Sequence, residues 1–139
     1  MSHNASYNLH GTQIMACARE GKKLRSGRDA VELIAELIAE PINDTFEHGA
    51  GLIVIPAERL DDDFFRLKTC VAGEMLQKFV NYRTRVAILG DISSFVAESA
   101  ALRDFVYESN RGNQIWFVAN HEELDERLKK FALVSGVGR

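Results

Sequence analysis

Three uninterrupted runs of four apolar residues constrain the fold of this chain more than any other feature. They occupy residues 52–55, 86–89 and 115–118. A run without polar residues on either face is typical of a central strand that is buried on both sides. Segments of helical periodicity separate the runs, so the pattern predicts βαβ crossovers and an α/β fold with a mostly parallel sheet.

Four helices are predicted around these strands, because apolar residues recur there at helical spacing. The first covers residues 28–40 and ends before Pro41, since the residue before a proline is disfavoured in a helix. The second covers residues 61–82 and begins with three carboxylates, which the helix dipole favours at an N-terminus. The third is centred on Leu102, Phe105 and Val106, after a connection at residues 93–98, and the last covers residues 120–131.

The first part of the chain predicts a β-hairpin. Short strand-like runs flank His10 and Gly11, and a glycine at such a position is typical of a tight turn. One hairpin strand can add an antiparallel edge to a parallel sheet. The predicted order is therefore ββαβαβαβα in a single domain over residues 7–133, with a frayed start at 1–6, a flexible loop at 41–51 and a loose tail at 134–139.

Composition excludes several classes of function. The chain has 139 residues, which is one domain's length, and its formal net charge is −3 without a basic block. Nucleic-acid binding needs a positive surface, so no nucleic acid is expected as a partner. No apolar run has the ~20 residues of a membrane span, so no membrane is expected either. The two cysteines, Cys17 and Cys70, lie far apart, which favours a reduced, cytoplasmic protein.

Motifs for familiar chemistry are missing from the sequence. Neither a phosphate-binding Gly-x-x-x-x-Gly-Lys-Ser/Thr loop nor a dinucleotide-binding glycine motif is present. The four histidines have no partners at metal-binding spacing, and the sequence contains no nucleophile elbow. No catalytic residue, metal ligand or cofactor is therefore predicted.

Polar residues of the second and third helices are the candidates for a site. Glu74 and Lys78 share a helix flank with Gly73, whose lack of a side chain predicts close packing of a neighbour there. Glu74 and Lys78 also fit a simple stabilising pair at the surface. Asp91 ends a central strand, where ligands bind in open α/β sheets, but it fits a capping role equally well. His121 is expected on the same edge.

The third helix adds a mixed cluster of charge near its end. Arg103, Glu108 and Arg111 lie on neighbouring turns, and Asn110 precedes Gly112, where the helix is expected to stop. Arginine and carboxylate groups in such a cluster are either structural or part of an interface. The full set of candidate ligand or interaction residues is Lys68, Glu74, Lys78, Asp91, Arg103, Glu108, Asn110 and Arg111.

Two longer patterns resemble a known family. One runs from Phe64 through Ala72-Gly73-Glu74, Gln77-Lys78-Phe79 and Asn81-Tyr82-Arg83 to Gly90-Asp91, and the other combines Leu102-Arg103-Asp104-Phe105 with Glu108-Ser109-Asn110-Arg111-Gly112. Together they resemble a bacterial domain-of-unknown-function family, number 4180. The element order also resembles the STAS or SpoIIAA-like group of anti-sigma-factor antagonists.

The second resemblance implies a regulatory switch, which can be tested against the residues. In phospho-regulated members of that group, a serine or threonine begins the helix after the first central strand. The corresponding segment here, residues 56–63, contains no hydroxyl side chain, and a phosphate beside Asp61 to Asp63 would meet like charges. The sequence therefore does not support this switch.

The resulting hypotheses concern two classes of protein. The first is a non-enzymatic regulatory or protein-interaction module that docks through the outer faces of the second and third helices, with an unidentified protein partner or a second copy of the chain. The alternative is a small-molecule-binding domain whose pocket lies at the C-terminal edge of the sheet. In that alternative, Asp91 lies near Lys68, Glu74, Asn110 and Arg111.

Overall fold

A computed structural model describes residues 4–38 and 51–135 of the chain. In these ranges the strands are β1 (Ala5–Leu9), β2 (Thr12–Ala16), β3 (Gly51–Pro56), β4 (Arg85–Leu89) and β5 (Ile115–Val118). The helices are α1 (Gly27–Ile38), α2 (Val71–Asn81), α3 (Ser93–Glu98), α4 (Ala100–Arg111) and α5 (His121–Ser135). The predicted α/β class is confirmed. The predicted end of the first helix at Pro41, residues 41–50 of the predicted loop and residues 136–139 of the predicted tail lie outside the described residues. Among the described residues, 5–6 of the predicted frayed start belong to β1, Gly51 begins β3, and residues 134–135 of the predicted tail belong to α5.

The five strands form one mixed sheet in the order β1-β2-β3-β4-β5. The edge strand β1 runs antiparallel to β2, whereas β2, β3, β4 and β5 are parallel to one another. The sheet is thus mixed, which corrects the prediction of a mostly parallel sheet. The antiparallel part arises from the hairpin, whose two-residue turn at His10 and Gly11 has positive φ angles of 50° and 85°.

Apolar side chains cover both faces of the sheet, as the uninterrupted runs require. On one face, Ile53, Val86 and other strand residues pack against α1, α2 and α4. On the opposite face, Leu52, Ala87 and Trp116 pack against α5. Alternate residues of each strand point to opposite faces, so both cores draw on the same apolar runs.

The second predicted helix is shorter than expected, because its first ten residues adopt a different structure. Two short 3-10 turns, Asp62–Phe65 and Leu67–Thr69, precede α2, and Cys70 then takes a left-handed φ of 67°. The Asp61 side chain accepts a hydrogen bond from the Asp63 N–H at 3.2 Å, which favours a tight turn over a regular helix. The carboxylates of residues 61–63 therefore stand well before the N-terminus of α2.

Residues 93–98 form the short helix α3, although the sequence predicts a connection there. Asp91 accepts a hydrogen bond from the Ser93 N–H at 2.9 Å, which forms a turn just before this helix. Within the described ranges, no helix is long and apolar enough to cross a membrane.

Candidate functional site

The C-terminal ends of the four parallel strands form one edge of the sheet, and a cleft of about 330 Å³ opens there. We call it the rim cleft. Each parallel strand or the residue that follows it contributes to its lining. The apolar lining includes Ala16, Val54, Pro56 and Leu89, and the polar lining includes Arg19, Glu58, Asn120 and His121.

An ion pair borders the rim cleft. Arg19 Nε lies 2.9 Å from Glu58 Oε1, and the two side chains are 74% and 53% exposed. The hydrogen bond and the charge of Glu58 both raise the pKa of Arg19. The cleft therefore presents a cationic and an anionic side chain side by side.

The side chain of Arg59 holds together the two loops that carry this ion pair, through hydrogen bonds to backbone carbonyls. Its guanidinium donates to the Ala18 carbonyl at 2.8 Å and to the Lys22 carbonyl at 3.0 Å. Arg59 follows Glu58 directly, while Ala18 precedes Arg19. The position of the ion pair therefore depends on a second arginine that bridges the same two loops.

The opposite wall is the beginning of α5. Asn120 Oδ1 accepts from the Glu123 N–H at 2.9 Å, and Glu123 in turn accepts from the Ala119 N–H at 3.4 Å. This reciprocal cap orders the first turn of the helix. His121 is exposed at its first position and lines the cleft, as expected from the sequence.

Cys17 also lines the cleft, yet its thiol is a poor nucleophile. Its side chain belongs to the core and is only 6% exposed. Burial raises its pKa to about 12, so the thiol is neutral at ordinary pH. Nucleophilic attack requires the thiolate, and Cys17 therefore serves as apolar lining.

A second cleft of about 260 Å³ adjoins the first and contains Asp91. Both clefts are lined by Glu58, Leu89 and Gly90, so they meet where β4 ends. Gly90 has a φ of 151°, and a Cβ there would lie 2.8 Å from the Ala57 Cβ. Only glycine permits this close approach of the strand end to the turn at Ala57–Arg59.

Asp91 fits the predicted role at a turn. Its carboxylate accepts hydrogen bonds from the Ser93 side chain and backbone just before α3, and these bonds lower its pKa. It also lines the second cleft, together with Lys23 and Asp62. Asp91 is thus a fixed negative charge at the edge of the sheet.

Lys68 lies beyond Asp91 in a further cleft of about 360 Å³. The rings of Phe65 and Phe95 stack with their centres 4.7 Å apart, and both rings line this cleft as well as the one with Asp91. Lys68 and Asp91 therefore belong to neighbouring clefts that share an aromatic wall.

Glu74 and Lys78 contact the first turn of α1. Glu74 Oε1 accepts a hydrogen bond from the Gly27 N–H at 2.9 Å. A Cβ at Gly27 would lie 3.1 Å from Lys78 Cε, so the lysine side chain covers the same turn. The tight intramolecular packing expected at Gly73 is not found among the described residues, because a Cβ there would meet no atom within 4 Å apart from the adjacent residues and the backbone of its own helix.

Asn110 is bonded to the edge strand β5. Its amide accepts from the Phe117 N–H at 2.7 Å and donates to the Phe117 carbonyl at 3.2 Å. Its own carbonyl accepts a hydrogen bond from Arg127. These contacts give Asn110 a structural role beside β5.

The charged residues of α4 remain at the surface. Arg103 is exposed, and Arg111 Nη1 lies 3.4 Å from Glu108 Oε1 with both side chains about two-thirds exposed. The Arg111 guanidinium also lies 5.9 Å from the centre of the Tyr107 ring. The candidate residues therefore fall into separate groups at the clefts, the start of α1, strand β5 and the outside of α4.

Sequence reasoning missed Arg19 and Glu58, although a signal for both exists. Each follows the C-terminal end of a parallel strand by two or three residues, the region where ligands bind in open α/β sheets. Of the residues at these strand ends, only Asp91 and His121 are predicted from the sequence.

Among the described residues, no group of three or more histidine, cysteine or acidic side chains is arranged to hold a metal ion. Comparisons with curated proteins and with solved structures return no match. The model of the family described as Domain of unknown function (DUF4180) matches residues 9–128. The chain therefore belongs to the DUF4180 family.

Proposed function

We propose that this domain binds a small molecule in the rim cleft. The observation that carries the proposal is the position of the cleft at the C-terminal ends of all four parallel strands. Ligands of open α/β sheets bind in crevices at this edge, where loops rather than continuous strands form the surface.

The size and lining of the rim cleft support the same function. Its volume of about 330 Å³ lies within the range of small-molecule sites. An apolar lining with a few polar groups is the usual composition of such sites, because the apolar part supplies affinity and the polar groups fix orientation. Cys17 contributes to the apolar part of this lining, because burial raises its pKa to about 12 and keeps the thiol neutral.

A thermal-shift screen with metabolites tests this function. A ligand at 100 times its dissociation constant stabilises the fold by about 2.7 kcal/mol. That corresponds to roughly 5 to 10 °C in melting temperature for a domain of this size. The proposal expects such a shift for at least one ligand class.

A cleft-filling variant locates the binding site. Ala16→Phe places a ring in the rim cleft from the half-buried end of β2, whereas Ala35→Phe adds the same ring at an exposed position of α1. Ligand-induced stabilisation should disappear in Ala16→Phe and persist in Ala35→Phe. If circular dichroism shows that both variants are folded and the ligand raises their melting temperatures equally, the ligand binds elsewhere and the proposal is refuted.

A second candidate is the protein-interaction module that the sequence favours. The observation behind it is Gly73, which lies on an exposed face of α2 beside Gln77 and Val80 and packs against no other element of the described residues. A glycine inside a helix costs about 1 kcal/mol relative to alanine, and it permits close approach of another helix. We propose a second copy of α2 as the occupant, since the uncharged stripe can face its own copy without repulsion.

The oligomeric state tests this second candidate. Light scattering coupled to gel filtration should show a dimer of the wild-type chain, and Gly73→Leu should convert the dimer to monomer. A monomeric wild-type chain, or a dimer indifferent to Gly73→Leu, rules out this surface. A regulatory role, a cytoplasmic location and the STAS-like resemblance remain predictions from the sequence and carry no part of either proposal.

A further inference from the structure

We propose that the ligand of the rim cleft is a small zwitterion of the amino-acid class, with a carboxylate, an ammonium group and an apolar side chain. This inference rests on the proposed function and identifies the chemistry of the ligand. It depends on the ion pair Arg19–Glu58 and on the apolar residues beside it.

Arg19 has hydrogen-bonding capacity for a carboxylate. Its Nε forms the contact with Glu58, and its two terminal nitrogens make no other hydrogen bond within residues 4–38 and 51–135. The planar guanidinium of arginine matches the two oxygens of a carboxylate, which makes a paired hydrogen bond possible. The exposed part of Arg19 is therefore suited to an anionic ligand group.

Glu58 can accept hydrogen bonds from a cationic group of the ligand. Its Oε1 accepts from Arg19, while Oε2 makes no hydrogen bond to the described part of the chain. A carboxylate oxygen accepts hydrogen bonds only, and an ammonium group donates three, so Glu58 suits a cationic ligand group.

The adjacency of the two charges selects against ligands with a single charge. A simple anion that reaches Arg19 also approaches Glu58 and is repelled, and a simple cation meets the converse penalty at Arg19. A ligand with both charges on neighbouring atoms satisfies the two side chains together. The arrangement thus favours a zwitterion over either half of it.

The rest of the cleft is suited to an apolar side chain. Ala16, Val54, Pro56 and Leu89 supply carbon surface beside the ion pair. The cleft volume of about 330 Å³ equals about eleven water molecules at roughly 30 Å³ each. This space suits a compact metabolite with an aliphatic side chain.

Calorimetric titration of the full chain with leucine and its two half-analogues tests the inference. 4-Methylpentanoate lacks the ammonium group of leucine, and 3-methylbutylamine lacks the carboxylate. We expect leucine to bind, and each analogue to bind about tenfold or more weakly, because it leaves one charged side chain without its partner. Valine, methionine and phenylalanine, each up to about 10 mM, extend the search to weak ligands in the millimolar range.

Charge-neutralising variants assign the two roles. Glu58→Gln should weaken leucine binding about tenfold and leave 4-methylpentanoate unchanged or tighter. Arg19→Gln should weaken leucine and leave 3-methylbutylamine unchanged or tighter. The matched controls are Arg28→Gln and Glu32→Gln, which neutralise a comparably exposed ion pair with a 3.4 Å contact on α1. These controls should not change binding.

The outcomes separate this inference from the proposed function. Failure of all four amino acids to bind, or equal affinity for leucine and 4-methylpentanoate, overturns the zwitterion. If another ligand class then stabilises the wild-type chain but not Ala16→Phe, the rim cleft remains a binding site of different chemistry. If Ala16→Phe leaves every ligand response intact, both the inference and the proposed function fail.

Discussion

The side-chain amide of Asn110 forms two hydrogen bonds with the backbone of Phe117, one to the N–H at 2.7 Å and one to the carbonyl at 3.2 Å. It therefore pairs with Phe117 much as a neighbouring strand would. Because β5 ends the sheet, this amide occupies backbone groups that would otherwise be open to pairing with another chain. A residue that looked like a ligand candidate in the sequence thus protects a sheet edge.

Asn110→Asp should destabilise the fold, since a carboxylate has no hydrogen to donate and its charge faces the Phe117 carbonyl. We expect a loss of about 2 kcal/mol in the free energy of unfolding, measured by urea titration. The freed edge should also promote self-association in gel filtration. Asn81→Asp, at an exposed position on α2, is the control and should change stability little. Equal stability of the two variants would contradict the structural role.

The contact between Gly27 and Glu74 predicts a coupled pair. A Cβ at residue 27 would lie 2.8 Å from both Glu74 Cγ and Oε1, so Gly27→Ala must displace this side chain and break its hydrogen bond. We expect Gly27→Ala and Glu74→Ala each to cost about 1 kcal/mol in unfolding free energy. The double variant should cost less than their sum, because both single changes remove the same contact. Additive losses would show that the two residues act independently.

The fold could be predicted where burial alone decides it. The apolar runs at β3, β4 and β5 fit only strands that are covered on both faces of the sheet, since four consecutive apolar side chains need two buried faces. The segment before α2 was misassigned because Phe64, Leu67 and Val71 keep a helical spacing. The turn-forming hydrogen bond of the Asp61 side chain opposes that spacing and prevails locally.

The same segment lengthens the connection in which a STAS-like switch would carry its serine or threonine. Helix α2 begins at Val71, so its connection from β3 includes Thr69. The Thr69 hydroxyl lies 2.7 Å from the Asp63 carbonyl oxygen and accepts from the Val71 N–H at 3.3 Å. The connection therefore contains a hydroxyl after all, one that already stabilises the turn.

The candidate site could be predicted only in part, because its groups meet through tertiary structure. Asp91 and His121 follow strand ends that the sequence identifies. The contact between Arg19 and Glu58 joins residues 39 positions apart, and it depends on Arg59 bridging two loops. No local pattern encodes such a contact, and none predicts the hydrogen bond from the Gly27 N–H to Glu74.

Gly73→Ala should stabilise the monomeric fold. Apart from the adjacent residues and the backbone of its own helix, a Cβ at this position meets no described atom within 4 Å, so alanine brings its higher helix propensity without a clash. We expect a gain of about 1 kcal/mol, or roughly 3 °C in melting temperature. Calorimetry at a concentration where the chain is monomeric measures this gain in stability. Loss of stability would reveal a neighbour that the described residues do not include.

Burial of Cys17 predicts how stability depends on alkaline pH. Its pKa is raised from 9.0 to about 12 in the folded chain, so the unfolded thiol loses its proton first as pH rises. Between these pH values the folded state binds more protons, and its stability must fall with increasing pH. The contribution of Cys17 is therefore complete below about pH 9 and is lost progressively towards pH 12.

Urea titrations from pH 7 to pH 10 on the wild-type chain and on Cys17→Ala measure this effect. The difference in unfolding free energy between the two proteins should shrink above pH 9, because alanine has no proton to lose and all other groups are shared. Cys70→Ala is the matched control, since it removes an exposed thiol where Cys17→Ala removes a buried one. A pH-independent difference between wild type and Cys17→Ala would show that the Cys17 thiol ionises equally in both states.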